Sequence, residues 1–262
     1  MTVISVARRI GWLLVASTLV ATGPADAQEL KVMSSGAFME AYRQLVPEFE
    51  RDTQATTVTV SGGSMGNDPN TIPNRLKRGE AADVVILADS ALQALIEQGT
   101  VVRGSRVELV RSSIGMAVRA GSPKPDIGSI DALTQTLLRA RSIAYSSSAS
   151  GTYLSTELFP RLGLVDRLRE KTQVIEREPV GAVVARGDAE IGFQQLSELV
   201  TVPGLDVVGP LPPGAQRVTV FSAGIVVGTK EPEAAKALLA FLSSSAAASV
   251  IRATGLEPVN AP

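Results

Sequence analysis

Tyr145-Ser146-Ser147-Ser148-Ala149-Ser150-Gly151-Thr152-Tyr153 is the stretch on which the reading turns. It follows the apolar pair Ile143-Ala144 and precedes Leu154, Leu158 and Phe159, which recur at helical spacing. A loop between a buried strand and a helix start fits both flanks. Five aliphatic hydroxyls and a glycine then stand where a helix leaves backbone N–H groups unpaired. Free N–H groups, the positive end of the helix dipole and hydroxyl donors together accept an anion. A plain N-cap with spare serines is the simpler alternative.

Two further stretches repeat the arrangement. Leu30, Val32 and Met33 form a short strand, Ser34-Ser35-Gly36 a loop, and Phe38, Tyr42, Leu45, Val46 and Phe49 the apolar face of a helix that Pro47 should kink. Thr56–Val60 is β-branched and reads as a strand. It leads into Ser61-Gly62-Gly63-Ser64-Met65-Gly66 and a helix from Ile72-Pro73 to Gly79. Val84–Leu87 is a fully apolar strand, followed by a helix that Asp89 or Ser90 should cap. Strands are read at 107–110 and 114–118, and Ser129 caps a helix with Leu133 and Leu137.

The pattern then restarts: strand 142–145, the serine loop, helix 152–162, strand 173–175, a helix through Val180, Val183 and Val184 ending at Gly187, and strand 191–193 leading into Gln194-Gln195. Residues 203–213 read as a loop-rich return. An extended stretch at 218–227 and a helix opened by Glu231-Pro232 follow. Strands alternating with amphipathic helices imply parallel sheets covered on both faces, with ligands beyond the carboxyl ends of the strands. The expected architecture is α/β in two lobes, each a mostly parallel sheet flanked by helices, with a ligand cleft between them. The expected division is 28–112 plus 222–262 for the first lobe and 113–221 for the second.

Composition narrows the chemistry. The 262 residues contain no cysteine and no histidine, which excludes thiol nucleophiles, imidazole bases and thiolate or imidazole metal sites. With 25 basic and 26 acidic residues and 4% aromatics, nothing points to nucleic acid. Arg8-Arg9, the apolar segment 11–21 and Ala25-Asp26-Ala27 have the form of a cleavable export signal, residues 1–27. The expected location is the periplasm, with no membrane insertion after cleavage, no cofactor and no metal. A monomer is expected.

The three hydroxyl loops place Ser34, Ser35, Gly36, Ser64, Ser148, Ser150, Gly151 and Thr152 as expected substrate-binding residues. Arg75 is the expected cationic contact, and Arg111 beside the first crossing is a second candidate. The partner is a small anion, a tricarboxylate or an oxyanion.

The segments "FMEAYRQL", "RLKRGEAADVVILAD", "SASGTYLSTEL" and "VVARGDAEIGF" resemble the ModA molybdate-binding family, which implies a type II periplasmic binding protein fold over residues 30–259. As a receptor, the chain would also imply an ABC permease as partner. The resemblance puts the family's first-loop serine on Ala37, its second-loop serine pair on Gly63 and Ser64, its site tyrosine on Gln195 and its second-lobe backbone donor on Ser150. Ala37 and Gln195 replace two side-chain contacts to molybdate. The set "SSGAFMEA", "SGGSMG" and "SSSASGTYLSTELF" looks like the periplasmic aconitate isomerases, enzymes on the same fold that interconvert trans- and cis-aconitate. That resemblance implies an allylic proton shift. The residues offer Tyr145, Tyr153, Glu178, Asp89 and Glu40 as bases, and spacing does not choose among them.

Overall fold

The computed structural model describes residues 29–260. The export-signal reading of 1–27 lies outside them. Two sheets organise the chain. In chain order the elements are β1 (Glu29–Ser34), α1 (Gly36–Thr53), β2 (Thr56–Ser61), α2 (Ile72–Lys77), β3 (Val84–Ala88), α3 (Asp89–Glu97), β4 (Val107–Ser112), β5 (Ile114–Arg119), α4 (Ile130–Arg139) and β6 (Ile143–Ser146). Then come α5 (Ala149–Tyr153), α6 (Phe159–Arg161), α7 (Val165–Leu168), β7 (Thr172–Ile175), α8 (Val180–Arg186), β8 (Ile191–Gln195), α9 (Leu196–Leu199), β9 (Leu205–Pro210), β10 (Thr219–Ile225), α10 (Pro232–Leu242), α11 (Ala248–Ala253) and β11 (Glu257–Pro258).

The first sheet runs β11-β4-β10-β3-β1-β2 and the second β7-β6-β8-β5-β9. In each, a parallel trio (β2-β1-β3 and β7-β6-β8) carries the strand–loop–helix units, and antiparallel strands extend it. The antiparallel strands β4, β5, β9 and β10 flank the two passages between lobes. β4 ends at Ser112 in one sheet and β5 begins at Ile114 in the other. The return runs from 211 to 218, earlier than the expected boundary at 221/222, because Thr219 already pairs with Ser112. Gln216 ties the passages together: its Oε1 accepts from the Ile114 N–H at 2.9 Å, and its Nε2 donates to the Ile114 and Leu211 carbonyls.

Each lobe has its own core. In the first, Phe38, Tyr42, Leu45 and Phe49 of α1 pack on Val32, Val84 and Ile86 of the sheet and on Leu238, Leu239 and Leu242 of α10. In the second, Leu133, Leu137, Leu154 and Leu158 cover Ile114, Met116, Ile143 and Phe193. α1 runs unbroken through Pro47. Its apolar stripe is buried on both sides of that residue, and this burial outweighs one lost hydrogen bond. Ser129 caps α4 as expected, accepting from the Ala132 N–H.

Three local expectations fail. Neither Asp89 nor Ser90 caps α3; Ala88 stands at that position, and Asp89 instead binds Arg106 and Ser222. The helix after the serine loop begins at Ala149, three residues early, and widens into a π turn at Leu154–Leu158 ahead of Pro160, which has no N–H to donate. The loop-rich return contains β9, an edge strand whose half-buried side chains give no clean apolar alternation. Among the described residues no helix is long and apolar enough to cross a membrane.

Candidate functional site

The carboxyl ends of β1, β2, β6, β7 and β8 meet at a cleft of about 380 Å³ between the lobes. The start of α1 lines it with Ser35, Gly36 and Ala37, and the start of α5 with Ser148, Ala149 and Ser150. Two helix N-termini from different lobes therefore face one space, each with unpaired backbone N–H groups. Ser35 and Ser148 occupy the two N-cap positions, yet neither side chain caps its own helix. The simple capping role does not account for them. The Ser35 hydroxyl is buried without a hydrogen-bond partner, as are Gln195 Oε1 and Asp68 Oδ2. All three residues line the cleft. A buried polar atom left unpaired is costly, so such atoms collected in one cleft mark a place built for a polar ligand.

The two walls touch at the rim. The Ser64 N–H donates to Ser148 Oγ at 3.2 Å, while Ser64 Oγ accepts from the Ala88 N–H at 2.9 Å. Ser64 thus anchors the second loop to β3 and reaches across to the third. Gly66, at φ +106°, runs so close to the opposite loop that a Cβ there would lie 2.8 Å from the Ser147 carbonyl oxygen. Below the rim, Ser146 Oγ and Ser150 Oγ are 3.2 Å apart.

Of the residues expected from sequence, Ser35, Gly36, Ser64, Arg75, Ser148, Ser150, Gln195 and Glu178 all line the cleft. The others do not. Ser34 is fully buried at the end of β1, its hydroxyl donating to the Ser35 carbonyl. Gly151 is packed against β6: a Cβ there would fall 1.6 Å from the Ser146 carbonyl oxygen. Its lack of a side chain serves helix–strand packing, and ligand approach is not what requires it. Thr152 follows one residue further into the helix and leaves the cleft wall. Tyr145 and Tyr153 belong to the core of the second lobe. The Tyr153 hydroxyl donates to the Ala215 carbonyl at 3.0 Å and accepts from Arg161. Arg111 is exposed on β4 and does not line the cleft.

The charged side chains are mostly spoken for. Arg75 is held by both Glu80 oxygens and the Asn70 carbonyl, with only its outer face on the cleft. Glu178 makes a two-point contact with Arg186, whose hydrogen bonds hold its carboxyl below the usual range. Asp89 lies outside the cleft. Burial would raise its pKa, but the hydrogen bonds from Arg106 and Ser222 and the Arg106 charge outweigh that and hold it below the usual carboxylate value. Glu40 binds Gln44 on the outer side of α1.

One carboxylate that the sequence reading passed over stands apart. Glu198, on the short helix α9 that follows β8, lines the cleft and receives a hydrogen bond from Gln194 Nε2 at 2.8 Å. Among the described residues no lysine or arginine pairs with it. Burial pushes its carboxyl up to about 7, against hydrogen bonds from Gln194 and from the Gln195 backbone that pull it down. It lies against the start of α1, where a Cβ on Gly36 would come 2.2 Å from Glu198 Oε1. Gly36 leaves the room that the carboxyl fills. The sequence signal was present in Gln194-Gln195-Leu196-Ser197-Glu198, a polar cluster directly beyond an apolar strand, the context that singled out the serine loops.

The sequence profile described as bacterial extracellular solute-binding protein matches residues 30–257. The chain belongs to this family. It is 51% identical over 253 residues to an aconitate isomerase from a Pseudomonas species, covering 96% of each chain. It is 27% identical over 246 residues to the molybdate-binding protein ModA of Azotobacter vinelandii, covering 88% of this chain and 90% of that one. The solved structure of the Azotobacter periplasmic molybdate-binding protein superposes with a TM-score of 0.68 at 25% identity, over 87% of this chain and 98% of that one. The sulfate-binding protein SubI of Mycobacterium tuberculosis gives 0.72 at 16% identity, covering 89% and 88%, a likeness of fold.

The cleft carries more acidic than basic side chains. Its lining carries the carboxylates of Asp68, Glu176, Glu178 and Glu198 and the guanidiniums of Arg75 and Arg177. Net positive charge is therefore not what attracts an anion here. The donors that the lining offers an anion are those at the two helix starts and the serine hydroxyls, and neutral donors can hold an anion without burying a bare counter-charge.

Proposed function

We propose that this protein is a periplasmic aconitate isomerase, interconverting trans- and cis-aconitate in the inter-lobe cleft. The reading is carried by the 51% identity to an aconitate isomerase across 96% of both chains. The site supports it. A long cleft with donors on both walls suits a ligand with several carboxylates spread along a carbon frame. The α1 start with Ser35 offers one cluster of donors, the α5 start with Ser148 and Ser150 a second, and Ser64 with Gln195 the space between.

The reaction moves one proton. A C–H bond of the methylene carbon breaks, and its electron pair delocalises over the allylic carbons and the adjoining carboxylates. A C–H bond then forms at the former vinyl carbon, and the double bond shifts by one position. The new double bond takes the geometry in which the frame is held, so the cleft decides whether cis or trans product results. Donors fixed where charge develops lower the barrier because they need no reorganisation. No cofactor is required by this chemistry. The protein acts as a monomer on a free small anion.

A second reading follows from the 27% identity to ModA: a receptor that delivers an anion to an ABC permease. Ala37 and Gln195, at two positions the family uses for molybdate, disfavour the oxyanion version of it.

The test is direct. Purified protein incubated with trans-aconitate should convert it, seen as replacement of one vinyl proton resonance by another in the NMR spectrum. No conversion, with thermal stabilisation by aconitate, would make the protein a tricarboxylate receptor. Stabilisation by molybdate alone would remove tricarboxylates altogether. Ligand at a hundred times its Kd should add about 2.7 kcal/mol.

A further inference from the structure

We infer that Glu198 is the catalytic base, and that it carries the proton from the methylene carbon to the former vinyl carbon along one face of the bound aconitate. This rests on the aconitate reading and assigns the residue that performs it.

Elimination and position lead to the same group. The other candidates for proton transfer are occupied, outside the cleft or exposed at its mouth. Tyr145 and Tyr153 are in the second-lobe core. Glu178 is pinned by Arg186, and Asp89 by Arg106 and Ser222. Asp68 accepts the Asn70 N–H with one oxygen, and Arg177 stands 3.9 Å from the other. Glu176 is exposed at the mouth. Among the described residues Glu176 and Glu198 line the cleft without a cationic partner, and of the two only Glu198 is drawn in from the surface.

Its surroundings suit a base that must return what it takes. A carboxyl that titrates near neutrality is found in both forms at working pH, and a general base is most effective under that condition. The Gln194 amide fixes its orientation. Gly36 lets it sit beside the α1 start, so base and charge-stabilising donors lie within one corner of the site. The other carboxyls of the lining are Glu178, paired with Arg186, Asp68, which faces Arg177, and Glu176, exposed at the mouth. A proton lifted by Glu198 therefore has no other carboxyl waiting to replace it, and the same oxygen delivers it to the far allylic carbon.

In the first step the C–H bond breaks, its pair stays on the allylic frame and an O–H bond forms on Glu198. In the second that O–H bond breaks and the new C–H bond forms. Nothing is oxidised, reduced or released. Because the substrate is a trianion, the ionised base repels it, so removing that charge should strengthen binding while stopping turnover.

Glu198→Gln, isosteric and uncharged, is expected to lower kcat by about a thousandfold or more, with thermal stabilisation by trans-aconitate kept or increased. Wild-type kcat/KM should fall tenfold per pH unit below about 7, and that limb should be missing from the residual activity of Glu198→Gln. With substrate dideuterated at the methylene, early product should carry deuterium at both allylic positions, one of them transferred. A Glu198→Gln variant within tenfold of wild-type kcat overturns the assignment. Product with no transferred deuterium overturns one-base delivery. Wild-type protein that binds aconitate without converting it overturns the isomerase reading itself, and with it this inference.

Discussion

Gly151→Ala should melt roughly 6–12 °C below the wild type, and Gly151→Val should not yield a folded second lobe. Ordinarily alanine is favoured over glycine inside a helix by about 0.8–1 kcal/mol. Here the sign reverses. The new Cβ would stand 1.6 Å from the Ser146 carbonyl oxygen, 2.7 Å from its carbon and 2.8 Å from Tyr145 Cδ2. Two of these are backbone atoms at the end of β6, which pairs with both β7 and β8 and cannot retreat without disturbing the sheet. Overpacking of this kind costs about 3 kcal/mol. For a domain pair of this size each kcal/mol corresponds to about 2–4 °C. Circular dichroism melts without ligand decide the matter. A Gly151→Ala melt within 2 °C of wild type, with ligand stabilisation lost, would return this glycine to the binding surface.

Gly66→Val should leave both lobes folded and reduce kcat/KM for aconitate at least a hundredfold. Gly66 sits on the second loop at φ +106°, and its Cβ position lies 2.8 Å from the Ser147 carbonyl oxygen on the opposite lobe. A branched side chain there would wedge apart the two loops that the Ser64–Ser148 hydrogen bond brings together. The α1 and α5 starts would then no longer reach one ligand at the same time. A hundredfold loss is about 2.7 kcal/mol, the scale of a few charge-assisted hydrogen bonds. Steady-state kinetics with a parallel melt of the ligand-free protein separates the cases. Unchanged kcat/KM would mean that the rim contact plays no part in closure.

The repeated strand–loop–helix units could be read from the chain because the inner parallel strands β3, β6 and β8 are buried along their whole length, while β2, at an edge, shows itself by its β-branched run. β9 and β11 could not. β9 is an edge strand with half-buried side chains, and β11 is only two residues long. The serine loops were legible as the lining of a cleft, but which of their residues face it was not, since Gly36 and Gly151 look alike in sequence and differ only in what lies beside them. Glu198 escaped notice for a related reason. In isolation it is a glutamate on a short helix, a type of residue nearly always solvated. Only the approach of α9 to α1, sealed by the Ser197 hydroxyl donating to the Ala37 carbonyl at 2.8 Å, turns it inward.

The two passages between lobes are fastened on both sides. Ser112 pairs with Thr219 in the first sheet, and Gln216 clamps Ile114 to Leu211 in the second. Between these fastenings lie Ser113 on one passage and Arg217-Val218 on the other. An opening of the lobes that kept every sheet pairing would turn about those residues. The Ser113 carbonyl accepts the Leu196 N–H at 2.8 Å, at the start of the helix that bears Glu198. The passage between lobes is thus bonded to the arm that holds the carboxylate, and any turn at Ser113 would reach Glu198 through that one hydrogen bond.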